Sequence, residues 1–167
     1  MRKLLFSFAL VLFSLMCTVP AHAADDADIR EHKNCKTCGM SREMFSYSRV
    51  LIEYTNGTTA GTCSIRCAAV ELALNMGRMT KSIRVGDFNS RQLIDAEKAY
   101  WVIGGNKQGT MSSRGKWAFL KKDKADSFMA KNGGTAGTFY DALKASFNDL
   151  YNDLKLFWND AKKRSQE

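Results

Sequence analysis

Two cysteine pairs, Cys35 with Cys38 and Cys63 with Cys67, are separated by a single Asn56-Gly57 turn signal. Asn-Gly flanked by apolar stretches is the strongest short-range mark of a two-residue β-hairpin. A hairpin between the pairs returns the second towards the first, so any fold of this chain must accommodate four sulfurs near one point. The full sequence has five cysteines, and the odd one, Cys17, lies in a separate N-terminal segment. There Arg2 and Lys3 precede an uncharged apolar run from Leu4 to Val19, followed by Pro20-Ala21-His22-Ala23. A basic start, an apolar centre and a small-x-small end describe a secretory leader cleaved after Ala23. The run is short for a membrane span and no second one follows. Cys17 would suit lipid attachment only if a small residue preceded it, and Met16 is large. A cleaved leader therefore places residues 24 to 167 in the periplasm without a lipid anchor, where exposed thiols oxidise readily.

Loss of the leader leaves four cysteines, one histidine (His32) and no proline, and lowers the formal net charge from +8 to +6. Residues 24–33 are polar and read as a flexible lead-in. Ser48 to Tyr54 reads as a strand with Val50, Ile52 and Tyr54 on one face, and Thr58 to Thr62 as its return. Ser64 suits a helix N-cap, Ile65 to Met76 carries a helical stripe, and Gly77 stops it. Met76 and Met79 read as core. Residues 34–80 thus form a cysteine knuckle, a hairpin and a helix. Residues 81–134 look like a weak repeat of that unit. Strands are expected around Leu93-Ile94 and from Ala99 to Ile103. A Gly104-Gly105 to Gly109 loop then delivers Met111, and a strand follows from Lys116 to Leu120. Asp123 is expected to cap a helix over Lys124 to Lys131, closed by Asn132-Gly133-Gly134. In residues 135–167, Phe139, Leu143, Phe147, Leu150, Leu154 and Trp158 recur at threes and fours, an amphipathic helix. Its expected packing is against the domain or itself. The fold class is α+β, two hairpin-plus-helix units followed by a C-terminal helix.

Cys63 and Cys67 flank the first turn of a helix, where i, i+4 spacing puts both on one face and the N-terminus favours thiolate. Four chemistries fit the cysteines. One is a structural Zn(Cys)4 knuckle. Disulfides are the second, and a thiol–disulfide enzyme is the third. The last is a Cu(I) site. The enzyme reading fails on two counts: Gly39 and a hairpin, not a helix, follow Cys38, and the mature chain lacks the proline that such enzymes set against their cysteines. Gly39 also stands where a c-type haem attachment needs its histidine. Met40 favours copper, because Cu(I) accepts thioether as well as thiolate and zinc rarely does. Met40 and Met111 both lie in glycine-rich loops and not on periodic apolar faces. His32 is a further candidate ligand. The basic residues are scattered without interleaved aromatics, which argues against nucleic-acid binding.

Cys35-Lys-Thr-Cys38-Gly39-Met40, Gly61-Thr-Cys63-Ser64-Ile-Arg-Cys67-Ala-Ala, Leu93-Ile-Asp95-Ala96-Glu-Lys-Ala99-Tyr-Trp-Val, Met111 and Lys116-Trp-Ala-Phe together resemble the NosL family. These are copper-binding accessory proteins of nitrous-oxide reductase maturation. The resemblance implies a fold similar to the α+β repeats of organomercurial lyase. It implies one Cu(I) handed to a copper enzyme or another carrier, and no enzymatic activity. Cys38 and Met40 match the family's Cys-Gly-Met, and Met111 its downstream methionine. Two features depart from the family: its members are usually lipoproteins, and many lack the pair Cys63 and Cys67. The candidate metal ligands are therefore Cys35, Cys38, Met40, Met111, Cys63 and Cys67, with zinc the alternative ion. The rival reading is an interaction module held by Zn(Cys)4 or disulfides.

Overall fold

A computed structural model describes residues 26–166; the leader, its cleavage site and Cys17 lie outside the described residues. The chain runs α1 (Ala27–Glu31), β1 (Val50–Tyr54), β2 (Thr59–Thr62), α2 (Ile65–Leu74), β3 (Thr80–Gly86), β4 (Leu93–Asp95), β5 (Tyr100–Gln108), β6 (Arg114–Phe119), α3 (Lys122–Asn132), β7 (Thr135–Gly137) and α4 (Phe139–Arg164). One antiparallel sheet has the order β2-β1-β3-β4 and the other β6-β5-β7.

Each sheet repeats one connection pattern: a hairpin, a helix, then a third strand returning beside the first. β1, β2, α2 and β3 make the first unit, and β5, β6, α3 and β7 the second. The fold is α+β, as the sequence suggested, but each hairpin-plus-helix unit gains a strand. The boundary expected after residue 80 therefore cuts through the first sheet: β3 pairs with β1 (Val50 opposite Val85) and β4 pairs with β3. β3 offers only Ile83 and Val85 as apolar residues, too few for a visible strand run. Its register is helped by Lys81 and Ser82, whose side chains bond Glu53 across the sheet.

Val50, Ile52 and Tyr54 are all fully buried. They join Ile65 and Ala68 of α2, Trp101 and Ala118 of the second sheet, and Phe139 and Ala142 of α4 in one cluster, so the two units share a core. A second cluster of Val102, Trp117, Phe119, Ala125 and Phe128 lies under α3. Met76 and Met79, expected in the core, are exposed, because α2 ends at Leu74 with Asn75 as its C-cap and the chain must cross to β3. α3 begins at Lys122, so Asp123 sits in its first turn and not at the cap. Residues 135 to 137 leave the C-terminal helix to pair with β5, and Thr138 starts α4 with a reciprocal capping box to Asp141.

The lead-in is anchored. Asp28 of α1 is buried, and its carboxylate accepts from Arg42 Nη2 at 2.6 Å, from Arg49 Nε at 2.9 Å and from Arg49 Nη2 at 3.1 Å. Arg42 and Arg49 are themselves 0% and 1% exposed. Burial alone would raise the Asp28 pKa, but the hydrogen bonds and charge of Arg49 and Arg42 outweigh it and hold the carboxyl below its usual range. A carboxyl depressed in this way stabilises the fold fully above its unfolded pKa of about 3.9 and loses that contribution as pH falls through the folded value. Asp28→Asn leaves two buried guanidinium groups without a counter-charge. Its expected cost at neutral pH is about 3–5 kcal/mol, read from urea unfolding curves, with the gap to wild type closing only in acid.

Candidate metal centre

The knuckle is built around a left-handed residue. The Cys35 carbonyl accepts from Gly39 N–H at 2.8 Å, and Cys35 N–H donates to the Met40 carbonyl at 2.8 Å. Closing this turn requires φ +78° at Gly39, a conformation that disfavours any residue with a Cβ. The two residues inside the turn fasten it to α2. Lys36 Nζ donates to Glu71 Oε1 at 2.8 Å, and Thr37 Oγ1 donates to the Cys67 carbonyl at 3.2 Å. Lys36 N–H also donates to the Gly61 carbonyl at 2.9 Å, laying the knuckle along β2.

The second pair is placed by the start of α2. Cys63 follows the last residue of β2, Ser64 caps the helix by accepting from Cys67 N–H, and Cys67 lies in the first turn. Ser48 Oγ donates to the Cys63 carbonyl at 2.9 Å, fixing the strand end. Beneath β2 runs Arg42, whose Nε donates to the Thr62 carbonyl one residue before Cys63. A Cβ on Gly61 would stand 2.7 Å from Arg42 Cζ and 2.5 Å from His32 Cβ, so only glycine lets the arginine pass.

These constraints bring all four sulfurs within 4.8 Å of one another, a grouping able to hold a metal ion. Cys38 and Cys63 Sγ are 3.5 Å apart, and Cys63 and Cys67 Sγ 3.7 Å. A disulfide would need about 2.05 Å, and the four residues are free thiols. A tetrahedral ion with metal–sulfur bonds of about 2.3 Å sets its sulfurs about 3.8 Å apart, close to the spacing found. Hydrogen bonds from Cys63 and Cys67 stabilise a Cys35 thiolate and pull its pKa down. Bonding with Cys35 pushes Cys63 up, and it is the main cause that takes Cys67 up to about 12. Mutual hydrogen bonding thus favours a thiolate at Cys35 and disfavours one at Cys63 and Cys67, and a bound cation would take deprotonated cysteines as its ligands.

Met40 packs against this cluster, together with Phe45. Met111 stands elsewhere: it lies in the β5–β6 loop, 37% exposed, with φ +59°. Its loop is tied towards the site through its neighbour, since the Thr110 and Ser48 hydroxyls are 2.9 Å apart and Ser48 bonds Cys63. His32 is not part of this grouping: its Nε2 lies 2.7 Å from Thr59 Oγ1, at the start of β2. Lys36, Thr37, Ser48, Glu71 and the Asp28–Arg42 pair are site-building residues that spacing did not reveal. Only the two residues inside Cys-x-x-Cys had a local signal.

The sequence profile of the NosL family matches residues 26–147. The chain belongs to the NosL family. The match begins at α1 and reaches into α4, beyond the 34–134 span suggested by motifs alone. Among solved structures, this NosL-family chain is similar to the crystal structure of the copper chaperone NosL from Shewanella denitrificans. The two are 22% identical with a TM-score of 0.51, covering 64% of this chain and 86% of that one, and so share a fold. It is also similar to the solution NMR structure of the apo-NosL protein from Achromobacter cycloclastes, at 22% identity and a TM-score of 0.39 over 55% of this chain and 82% of that one. No curated protein matches the chain. Among the described residues, no helix is long and apolar enough to cross a membrane.

Access to the sulfurs is unequal. Cys35, Cys63 and Cys67 are buried, and Cys38 is half-buried. In the reduced, metal-free protein, iodoacetamide is expected to alkylate Cys38 first, with the other three protected until unfolding. Peptide mapping by mass across a time course checks the order.

Proposed function

We propose that this chain is an exported Cu(I) carrier that delivers copper to a copper enzyme, serving the assembly of nitrous-oxide reductase. The observation that carries the reading is the convergence of four cysteine sulfurs, with the Met40 thioether packed against them, in a member of the NosL family. Copper is the cargo, and no bond of a substrate is made or broken.

Cu(I) is soft and takes few ligands, so the cluster holds more sulfur than one ion needs. In this reading Cys38 supplies the accessible thiolate, Met40 a neutral thioether beside it, and Cys35, Cys63 and Cys67 the buried remainder of the shell. Met111 serves the outer side of the site, on a loop whose neighbour Thr110 is bonded to Ser48. A surplus of ligands lets an acceptor replace them one at a time, and thioethers make that exchange easier because they bind more weakly than thiolates and do not protonate. The net +6 charge of residues 24 to 167 would steer encounter with an acidic client.

The near-tetrahedral spacing of the sulfurs favours one second reading, a structural Zn(Cys)4 site in a protein that binds a partner and transfers nothing. Elemental analysis of residues 24 to 167, purified anaerobically, separates the two. The copper reading expects about one Cu(I) per chain. It also expects Met40→Ala and Met111→Ala to lose affinity in competition with a Cu(I) chelator by at least the roughly tenfold that outer partners of a metal site are worth. Stoichiometric zinc that Cu(I) does not displace, or methionine variants that compete as well as wild type, would overturn it.

A further inference from the structure

We propose that α4 pairs antiparallel with α4 of a second copy of this chain. The inference stands on α4 alone and is independent of which ion the cysteines hold. The first part of α4 is core: Phe139, Ala142, Ala145 and Ser146 are buried against the domain. From Phe147 onward the helix continues for about 27 Å. Along it Phe147 is 41% exposed, Leu154 53%, Phe157 62% and Trp158 63%.

Leu143, packed against the shared core, begins a stripe that runs on into this exposed surface. At 100° per residue, Leu143, Phe147, Leu150, Leu154, Phe157 and Ala161 form a stripe roughly a quarter turn round the axis from the Phe139–Ser146 face. Past Leu143 the stripe leaves the domain: Phe147, Leu154 and Phe157 are 41%, 53% and 62% exposed. The spacing within the stripe is strictly four, three, four, three, four. That is the heptad seam of a coiled coil, narrower than the face a globular core uses, and it specifies a helix as the covering element.

The chain itself supplies a matching helix. Antiparallel pairing about Asn152 sets Phe147 of one copy opposite Phe157 of the other and Leu150 opposite Leu154, filling the layers that follow the core-packed Leu143. Along the edges, Lys144 of one copy meets Trp158 of the other, and Arg164 meets Tyr140, placing cations on aromatic rings. Asp153, which falls near the two-fold axis, is already neutralised by Arg66 of its own chain at 2.5 Å. The antiparallel sense also keeps the two folded bodies at opposite ends of the helix pair, whereas a parallel pair would press them together. A membrane surface fits less well, because Asp149, Asp153 and Asp160 interrupt the polar face that lipid-binding helices fill with Lys and Arg.

Sedimentation velocity of the chain from residue 24 to 167, over rising protein concentration, tests the pairing. The expected result is a shift from monomer to twice the monomer mass in wild type. Leu154→Asp and Phe157→Asp should remain monomeric throughout with an unchanged far-UV circular dichroism spectrum, since both side chains are exposed in the single chain. A wild type that stays monomeric at every concentration overturns the proposal, as does a dimer that survives both substitutions. Monomer that instead co-sediments with phosphatidylglycerol vesicles assigns the stripe to a membrane and overturns it too.

Discussion

One buried carboxylate holds the cysteine-bearing half of this protein together. Asp28 faces two arginines that have left water entirely, and each arginine then spends its remaining donors on backbone carbonyls. Arg42 reaches the carbonyls of Asp28, His32 and Thr62, and Arg49 reaches that of Ser46. Those contacts join α1, the turn after the knuckle, the entry to β1 and the end of β2. A buried ion pair is weak evidence for stability by itself, since desolvation offsets much of the attraction. Its value here is geometric: charged donors in fixed fork geometry set the height of β2, and with it the position of Cys63. Gly61 is the cost of that arrangement, because a side chain there would displace the guanidinium.

The sulfur cluster inherits its shape from this frame. Knuckle and helix start are each pinned by polar bonds, Lys36 to Glu71, Thr37 to the Cys67 carbonyl, Ser48 to the Cys63 carbonyl, and these bonds hold the four sulfurs within 4.8 Å of one another. Preformed ligands reduce the ordering that metal binding must otherwise supply. Close thiols also polarise one another, which favours a thiolate at Cys35 and raises Cys63 and Cys67. A cation bound there would replace the shared protons, which leave to solvent, with metal–sulfur bonds.

Much of this was legible locally. Asn56-Gly57 marked the hairpin, Ser64 the helix start, and the Cys-x-x-Cys and i, i+4 spacings the convergence of four sulfurs. The Ile-Asp-Ala-Glu-Lys-Ala stretch and the downstream Trp-Ala-Phe strand marked the family. The rest depended on distant partners. Asp28 sits in an acidic, polar stretch that resembles a solvated tail, and nothing near it reveals Arg42 and Arg49. β3 is held in mid-sheet by β1 and β4 more than by its own sparse apolar residues, and β7 exists only because β5 lies beside it. His32 is drawn to Thr59 by the same docking of α1 that the sequence concealed.

The C-terminal helix gives the two repeated units their relation to the site. Asp149 accepts from Arg114 and Lys116 of β6, beside the Met111 loop, and Asp153 accepts from Arg66, next to Cys67. Two acidic residues one helical turn apart thus clamp the strand that follows the methionine loop and the helix that carries Cys67. Lys116 is nearly buried, so Asp149 also serves as its counter-charge, and burial is the main force pulling that lysine's pKa down against the carboxylate's pull upward. The clamp explains why the seam lies a quarter turn away from the core face: the flank carrying Asp149 and Asp153 is committed to holding the domain, which leaves the leucine and aromatic positions pointing outward. The same helix that fixes the geometry around the sulfurs thereby presents the apolar stripe beyond Leu143 to solvent, the surface that the proposed pairing with a second copy would cover.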